Sequence, residues 1–147
     1  MSEEETVAAL EAGIEALNSG NHQGYIDMYA DSVTLPGSAS GDKESLEVMY
    51  DMIFTALPDM SLEIQEMMVD GNTVALIYHW EGTHEGELLG VPPTGETIEF
   101  PNGMTWMQFN DEGKVEKRWV PPGVWQHILQ EAREAADEEY ENPKELV

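Results

Sequence analysis

YHWEGTHEGELLGVPPTGETIEFPNGMTWMQFNDEGKVEKRW, residues 78–119, decides the fold. It reads as strand, tight loop, strand, turn, strand. Gly90-Val91-Pro92-Pro93-Thr94-Gly95 is a rigid connector, because both prolines fix φ and lack the N–H that a paired central strand needs. Asp111-Glu112-Gly113 is a shorter turn. Three long strands joined in sequence make an antiparallel sheet, and the rest of the chain must cover one of its faces.

Upstream, 60–69 alternates Leu62, Ile64 and Glu66 against Glu63 and Gln65, a strand with one wet face. Asp70-Gly71-Asn72 is a hairpin turn into a strand over 73–84. Three helices precede these strands. The first spans 4–18, with Val7, Leu10, Ile14 and Leu17 at helical spacing and Ser2 and Glu5 as a capping box. The second spans 22–29, its apolar face made by Tyr25, Ile26, Met28 and Tyr29. A short strand over 31–35 and a small-residue loop over 37–41 lead to the third, 43–57, with a stripe of Leu46, Met49, Tyr50, Ile53 and Leu57. Pro121-Pro122-Gly123 ends the sheet region, and a last amphipathic helix is expected over 124–140. Helices first and sheet second is an α+β order, in a single domain over 1–147.

Charge is the loudest feature of the composition. Thirty Asp and Glu face six Lys and Arg, a formal net charge of −24. Such a surface repels nucleic acid and anionic lipid, so neither is an expected partner. The acids are dispersed rather than gathered into a tail, which points to adaptation to high salt. Cysteine is absent, which excludes a disulfide frame and any Cys–metal site. An acidic start without an apolar run gives no signal peptide, so a cytoplasmic location is expected.

At Gly82-Thr83-His84-Glu85-Gly86-Glu87-Leu88-Leu89-Gly90-Val91-Pro92-Pro93-Thr94-Gly95 the chain resembles the SnoaL-like polyketide cyclase (ester cyclase) family. The His-x-Gly-x-Leu-x-Gly-x-Pro-Pro-Thr run is its most specific part, and Gly113-Lys114-Val115-Glu116 with Trp119 agrees with that family's last hairpin. The resemblance covers residues 5 to 130 or so, leaving an acidic C-terminal helix and tail. It implies the nuclear transport factor 2-like fold: a cone-shaped α+β barrel with three N-terminal helices packed in a curved antiparallel sheet. It also implies a deep, mostly apolar pocket and a homodimer through the outer sheet face. Characterised cyclases of the family close a polyketide ring by an intramolecular aldol step, with a last-strand aspartate as acid/base and a histidine on the strand before. By the Gly-Lys-Val register the aspartate's position falls on Val120 and the histidine's on Thr105, so those roles do not carry over.

Other residues must then carry any chemistry. His79 and His84 lie on one strand at a spacing that points them to opposite faces, and no ligand spacing for a metal exists, so neither metal nor cofactor is expected. His84 shares a face with Tyr78, Trp80 and Gly82 and is the candidate base; the competing reading is a structural histidine that orients the Pro-Pro-Thr loop. Asp27 is the remaining carboxylate candidate for proton transfer. Tyr29 and Tyr50, placed on helices, are candidate donors to a developing oxyanion. The resemblance implies that Thr105, Met107, Phe109, Arg118 and Val120 face the pocket, and Trp80 is a further candidate for its lining. An inward Arg118 needs Glu116, a helix acid or an anionic ligand as partner. Two functions remain open: cofactor-free enolisation, aldol or isomerisation chemistry on an apolar carbonyl compound, or non-catalytic carriage of such a ligand. A third is a purely structural dimer with a filled pocket. The charge argument makes its own prediction: secondary structure followed by circular dichroism should melt earlier in low salt than in molar salt, which shortens the Debye length to about 3 Å. A fold indifferent to salt would contradict it.

Overall fold

The computed structural model describes residues 1–34, 41–120, 130 and 133–134. Helix α1 (Glu3–Asn18) starts at the capping box: Ser2 Oγ accepts from Glu5 N and Glu5 returns a bond to Ser2 N. Its buried stripe of Leu10, Ile14 and Leu17 packs into the core. Side chains then lash it along strand β3 (Ser61–Asp70). Thr6 Oγ1 donates to Gly71 O at 2.7 Å, and Asn18 both donates to Leu62 O and accepts from Leu62 N. Leu62 therefore finds its missing strand partner in a side-chain amide, which blunts that edge.

Helix α2 is shorter than its apolar pattern suggests: it covers His22–Ile26 and stops at Asp27. Tyr29 is thus not on a helix but opens strand β1 (Tyr29–Thr34). After β2 (Gly41–Asp42) comes α3 (Lys43–Ala56), which buries Leu46, Tyr50, Ile53 and Phe54. Strands β3, β4 (Thr73–Thr83), β5 (Thr97–Phe109) and β6 (Val115–Trp119) form an antiparallel run. The sheet order is β2-β1-β6-β5-β4-β3, with β1 joined to β6 in parallel. The expected C-terminal helix, with Trp125, and the small-residue loop over 37–40 lie outside the described residues.

Irregular register does most to shape the sheet. β3 carries one extra residue between Ile64 and Glu66, and β5 one between Phe100 and Gly103, where Pro101 sits. Pro101 has no N–H for a ladder, and a bulge is where a strand tolerates that. Both bulges flank Tyr78 of β4, which pairs with Ile64 on one side and Gly103 on the other. They crease the sheet along one row, and each reverses which residues face inward. Glu66 is therefore exposed, contrary to simple alternation, and Met67 and Val69 pack on the core instead. At the crease the Tyr78 ring lies over Gly103, where a Cβ would fall 2.5 Å from the ring.

The connection from β4 to β5 is longer than the tight loop expected and holds its own small hairpin. Leu88 and Val91 exchange backbone bonds around Leu89 and Gly90, both at positive φ. Leu88 and Val91 are buried, so the proline connector is anchored rather than trailing. Gly86 brings this loop against the end of α3, where Glu85 N and Gly86 N both donate to Ala56 O. A Cβ on Gly86 would meet Thr55 O at 2.4 Å, and backbone cannot yield as a flexible side chain can. Gly86→Ala should therefore cost about 2 kcal/mol, in the range for overpacking. The check is the urea midpoint at unchanged slope; an unmoved midpoint would show that the loop does not dock so closely.

Candidate functional site

Among the described residues the inner face of the sheet carries one cation, Arg118, and its direction is set by a third irregularity. Phe109 pairs with Val115, yet Gln108 pairs with Lys117, so β6 has an extra residue at Glu116. Val115 is buried. Regular alternation from it would send Lys117 and Trp119 inward. The bulge reverses this and turns Arg118 in, opposite buried Met107, leaving Trp119 outside. Glu116 bonds to Gln108 rather than to Arg118.

Phenols surround the part-buried guanidinium. Arg118 Nη1 donates to Tyr29 Oη at 2.8 Å and also to Tyr50 Oη; Nε donates to Thr105 Oγ1 at 3.3 Å. Thr105 in turn donates to Trp119 O at 2.9 Å, which holds the end of β6. Tyr25 Oη lies 2.9 Å from Tyr29 Oη and 3.0 Å from Tyr50 Oη, closing a network drawn from α2, β1, α3, β5 and β6. Ring contacts lock the phenols, with Tyr25 edge-on to Tyr29 and to Tyr50, and Tyr50 stacked on Phe54. The Tyr78 phenol also shares a hydrogen bond with this guanidinium, and among the described residues no carboxylate pairs with Arg118.

The electrostatics follow from that arrangement. Burial pushes Tyr25 and Tyr29 above the ordinary phenol pKa, and for Tyr29 the Arg118 charge only partly opposes this. Burial also acts to raise Tyr50. There the Arg118 charge, together with hydrogen bonds from Tyr25 and Arg118, outweighs it, and the pKa falls below the ordinary value. Tyr78 is raised by burial, against the pull of nearby Arg118. Burial disfavours charge on Arg118, but the surrounding tyrosines more than compensate, so it stays protonated. This site offers a fixed cation with donors to spare beside an acidified phenol: it can seat an anionic or polarised oxygen and exchange a proton with it.

The other expected site residues fall into place around it or away from it. Thr105, Met107, Phe109 and Trp80 are buried on the inner face, and Val120 is half-buried just past β6. Asp27 does not join them. It ends α2 with its carboxylate toward solvent, 3.4 Å from Lys43, because the helix stops before the chain turns inward. His84 is fully buried but belongs to the loop: Nδ1 lies 3.2 Å from Thr94 Oγ1, and its backbone bonds to Glu96 O and Gly95 N. Tyr78 and His84 are separated by roughly 20 Å of extended chain, at about 3.3 Å per residue. His84 thus sits with the loop residues Thr94, Gly95 and Glu96 rather than with the tyrosines. Tyr25 was missed by sequence reading; it sits four residues before Tyr29, on the same inward path.

Cross-strand register also builds a group that spacing alone does not reveal. Glu99 pairs with Glu81, and with His79 their ligand atoms lie within 4.8 Å of one another on the outer face. These three could hold a metal ion, although exposed acids often gather without one. A groove of about 440 Å³ beside α1, lined by Val7, Ala8, Val69 and three glutamates, shares no residue with the tyrosine network.

A family description of SnoaL-like polyketide cyclases matches residues 7–123. The chain belongs to this family. Solved structures agree with the fold. AclR, a candidate hydroxylase from Streptomyces galilaeus, superposes with a TM-score of 0.77 at 24% identity, covering 90% of this chain and 98% of its own. IdmH, a candidate polyketide cyclase from Streptomyces antibioticus, gives 0.66 at 26% identity over 85% and 96%. RV0760c of Mycobacterium tuberculosis, in complex with estradiol-17β-hemisuccinate, gives 0.65 at 15% identity over 82% and 95%. No curated protein sequence matches the chain. Among the described residues no helix is long and apolar enough to cross a membrane.

This SnoaL-like chain makes Thr105 a strut for its arginine. Thr105→Val should lower stability by about 1–2 kcal/mol, since it strips an acceptor from Arg118 and a donor from Trp119 O. Urea unfolding measures it, and a loss below about 0.3 kcal/mol would remove Thr105 from that role.

Proposed function

We propose that the protein binds an apolar small molecule through an anionic or polarised oxygen seated on Arg118, and that it performs cofactor-free proton-transfer chemistry of the enolisation, aldol or isomerisation kind. One observation carries this reading. Arg118 points to the inner face, where phenols and a threonine hydroxyl hold it and no carboxylate among the described residues neutralises it. A part-buried cation is normally paired, and leaving it to phenols keeps it ready for an incoming oxygen. Trp80, Met107 and Phe109 would face the apolar body of the ligand, while His84 would position the loop over 84–96. Membership of a cyclase family supports the ligand class, and RV0760c offers a precedent in kind: estradiol-17β-hemisuccinate is an apolar skeleton ending in a carboxylate.

Non-catalytic carriage of the same ligand is the second reading. It is favoured by Val120 and Thr105 standing where characterised cyclases keep an aspartate and a histidine. In either case the working form would be a homodimer through the outer sheet face, where Met68, Met104 and Trp119 are exposed. The dispersed negative charge would suit a protein working in high salt, away from nucleic acid and membranes.

Calorimetry with two probes tests the Arg118 assignment. Estradiol-17β-hemisuccinate should bind at least tenfold tighter than estradiol, a difference of about 1.4 kcal/mol, and Arg118→Gln should erase the preference. Equal affinity of the two probes for the unaltered protein would sink the assignment.

A further inference from the structure

We propose that Tyr78, leaning over Gly103, fixes the direction of the Arg118 guanidinium and thereby sets how strongly the site prefers a ligand ending in an anionic oxygen. The inference rests on the reading above for the ligand. It adds a positioning residue and the glycine that makes room for it. Tyr78 and Arg118 belong to strands that are not neighbours, because β5 lies between β4 and β6. Adjacent strands run about 4.8 Å apart, so the two backbones are separated by roughly 10 Å. Side chains that stand upright on a sheet keep that separation. A hydrogen bond between the two is possible only if one of them lies down across β5, and such a bond is present.

Tyr78 is the one that lies down. A Cβ on Gly103 would fall 2.5 Å from its Cε2 and 2.6 Å from its Cζ, the hydroxyl-bearing end of the ring. That end is therefore above β5 rather than above its own strand. Glycine stands at this point because of the bulge. Counted in regular register from the Trp80–Phe100 pair, Tyr78 would face Asn102; the extra residue in β5 brings Gly103 there instead. The bulge in β6 separately turns Arg118 to the same face. Two independent irregularities thus serve one contact. Tyr29, Tyr50 and Thr105 reach the guanidinium from β1, α3 and β5, and Tyr78 adds its phenol from β4. Held from four elements, the planar guanidinium keeps one orientation, which a directed bond to a ligand oxygen requires.

Filling the core would need only the ring. Tyr78 is 3% exposed, and a hydroxyl buried that deeply is costly without a partner. Phenylalanine would fill the same space without that cost. The two roles therefore separate in one substitution: Tyr78→Phe keeps the ring over Gly103 and removes only the hold on Arg118.

Nuclear magnetic resonance of the arginine side chains tests this on the full chain without ligand. The chain has two arginines, and exposed Arg133 is the reference. In the unaltered protein the Arg118 guanidinium signals should be separately resolved, as for a group that rotates slowly. Tyr78→Phe should average them toward those of Arg133. Gly103→Ala, which lifts the ring, should do the same, and Tyr78→Phe guards against a Gly103 variant that fails to fold. In urea, Gly103→Ala should shift the midpoint much less on a Tyr78→Leu background, where no ring is left to lift. Thr6→Val, which strips the start of α1 of its bond to Gly71 O, should lower stability and leave the Arg118 signals alone. Calorimetry adds the ligand: Tyr78→Phe should reduce the preference for estradiol-17β-hemisuccinate over estradiol by about threefold, the worth of one hydrogen bond. Absence of any preference in the unaltered protein would count against the ligand reading alone, because the resonance measurement needs no ligand. Arg118 signals unmoved by Tyr78→Phe, a preference that rises in that variant, or a Gly103→Ala cost that persists in full without the ring overturns the proposal.

Discussion

A guanidinium held by phenol oxygens, with no carboxylate among the described residues to cancel it, is the constraint on which the interior depends. Arg118 could not be turned inward at neutral pH without acceptors, and the chain supplies them from separate elements: Tyr29 from β1, Tyr50 from α3 and Thr105 from β5. Phenols are a particular choice of acceptor. A carboxylate would neutralise the charge and close the matter. Tyrosines satisfy the N–H groups while leaving net positive charge on the inner face of a chain whose formal charge is −24. Attraction for an incoming anion is then local, set against a surface that repels it at longer range.

Backbone irregularity places these groups. Three single-residue bulges, in β3, β5 and β6, reverse the facing of everything beyond them. In β6 the bulge chooses Arg118 over Lys117 and Trp119. In β3 and β5 the pair on either side of Tyr78 bends the sheet where that ring lies over Gly103. Curvature and the identity of the inward residues thus come from the same events, which is why a site needing several precise directions can be built on strands rather than loops.

Within regular stretches the sequence was readable. The α1 capping box, the α3 stripe, the Gly71 turn and the β4 strand all appear where hydrophobic period and turn chemistry put them. Where a bulge intervened, alternation misled: Glu66 was assigned with Leu62 and Ile64 but faces out. Tyr29 read as helical because Tyr25, Ile26, Met28 and Tyr29 suit a helix face, and nothing local announces that the chain turns at Asp27. The inward direction of Arg118 came from family resemblance, not from period. Its partners were named individually, but no spacing rule joins Tyr25, Tyr29, Tyr50 and Arg118, which meet only through tertiary packing. The same holds for His79, Glu81 and Glu99, whose proximity is a property of strand register.

The parallel seam between β1 and β6 has a bearing on how the molecule comes to exist. Its two sides, Tyr29–Thr34 and Val115–Trp119, are far apart in the chain, so this pairing closes the longest loop in the sheet and must wait until β6 has been made. Until then the early segments carry three phenols destined for the interior without the cation that orders them. The Arg118 corner is therefore among the last parts to be assembled on the ribosome-to-native path, and its phenols wait for their cation until the closing strand arrives.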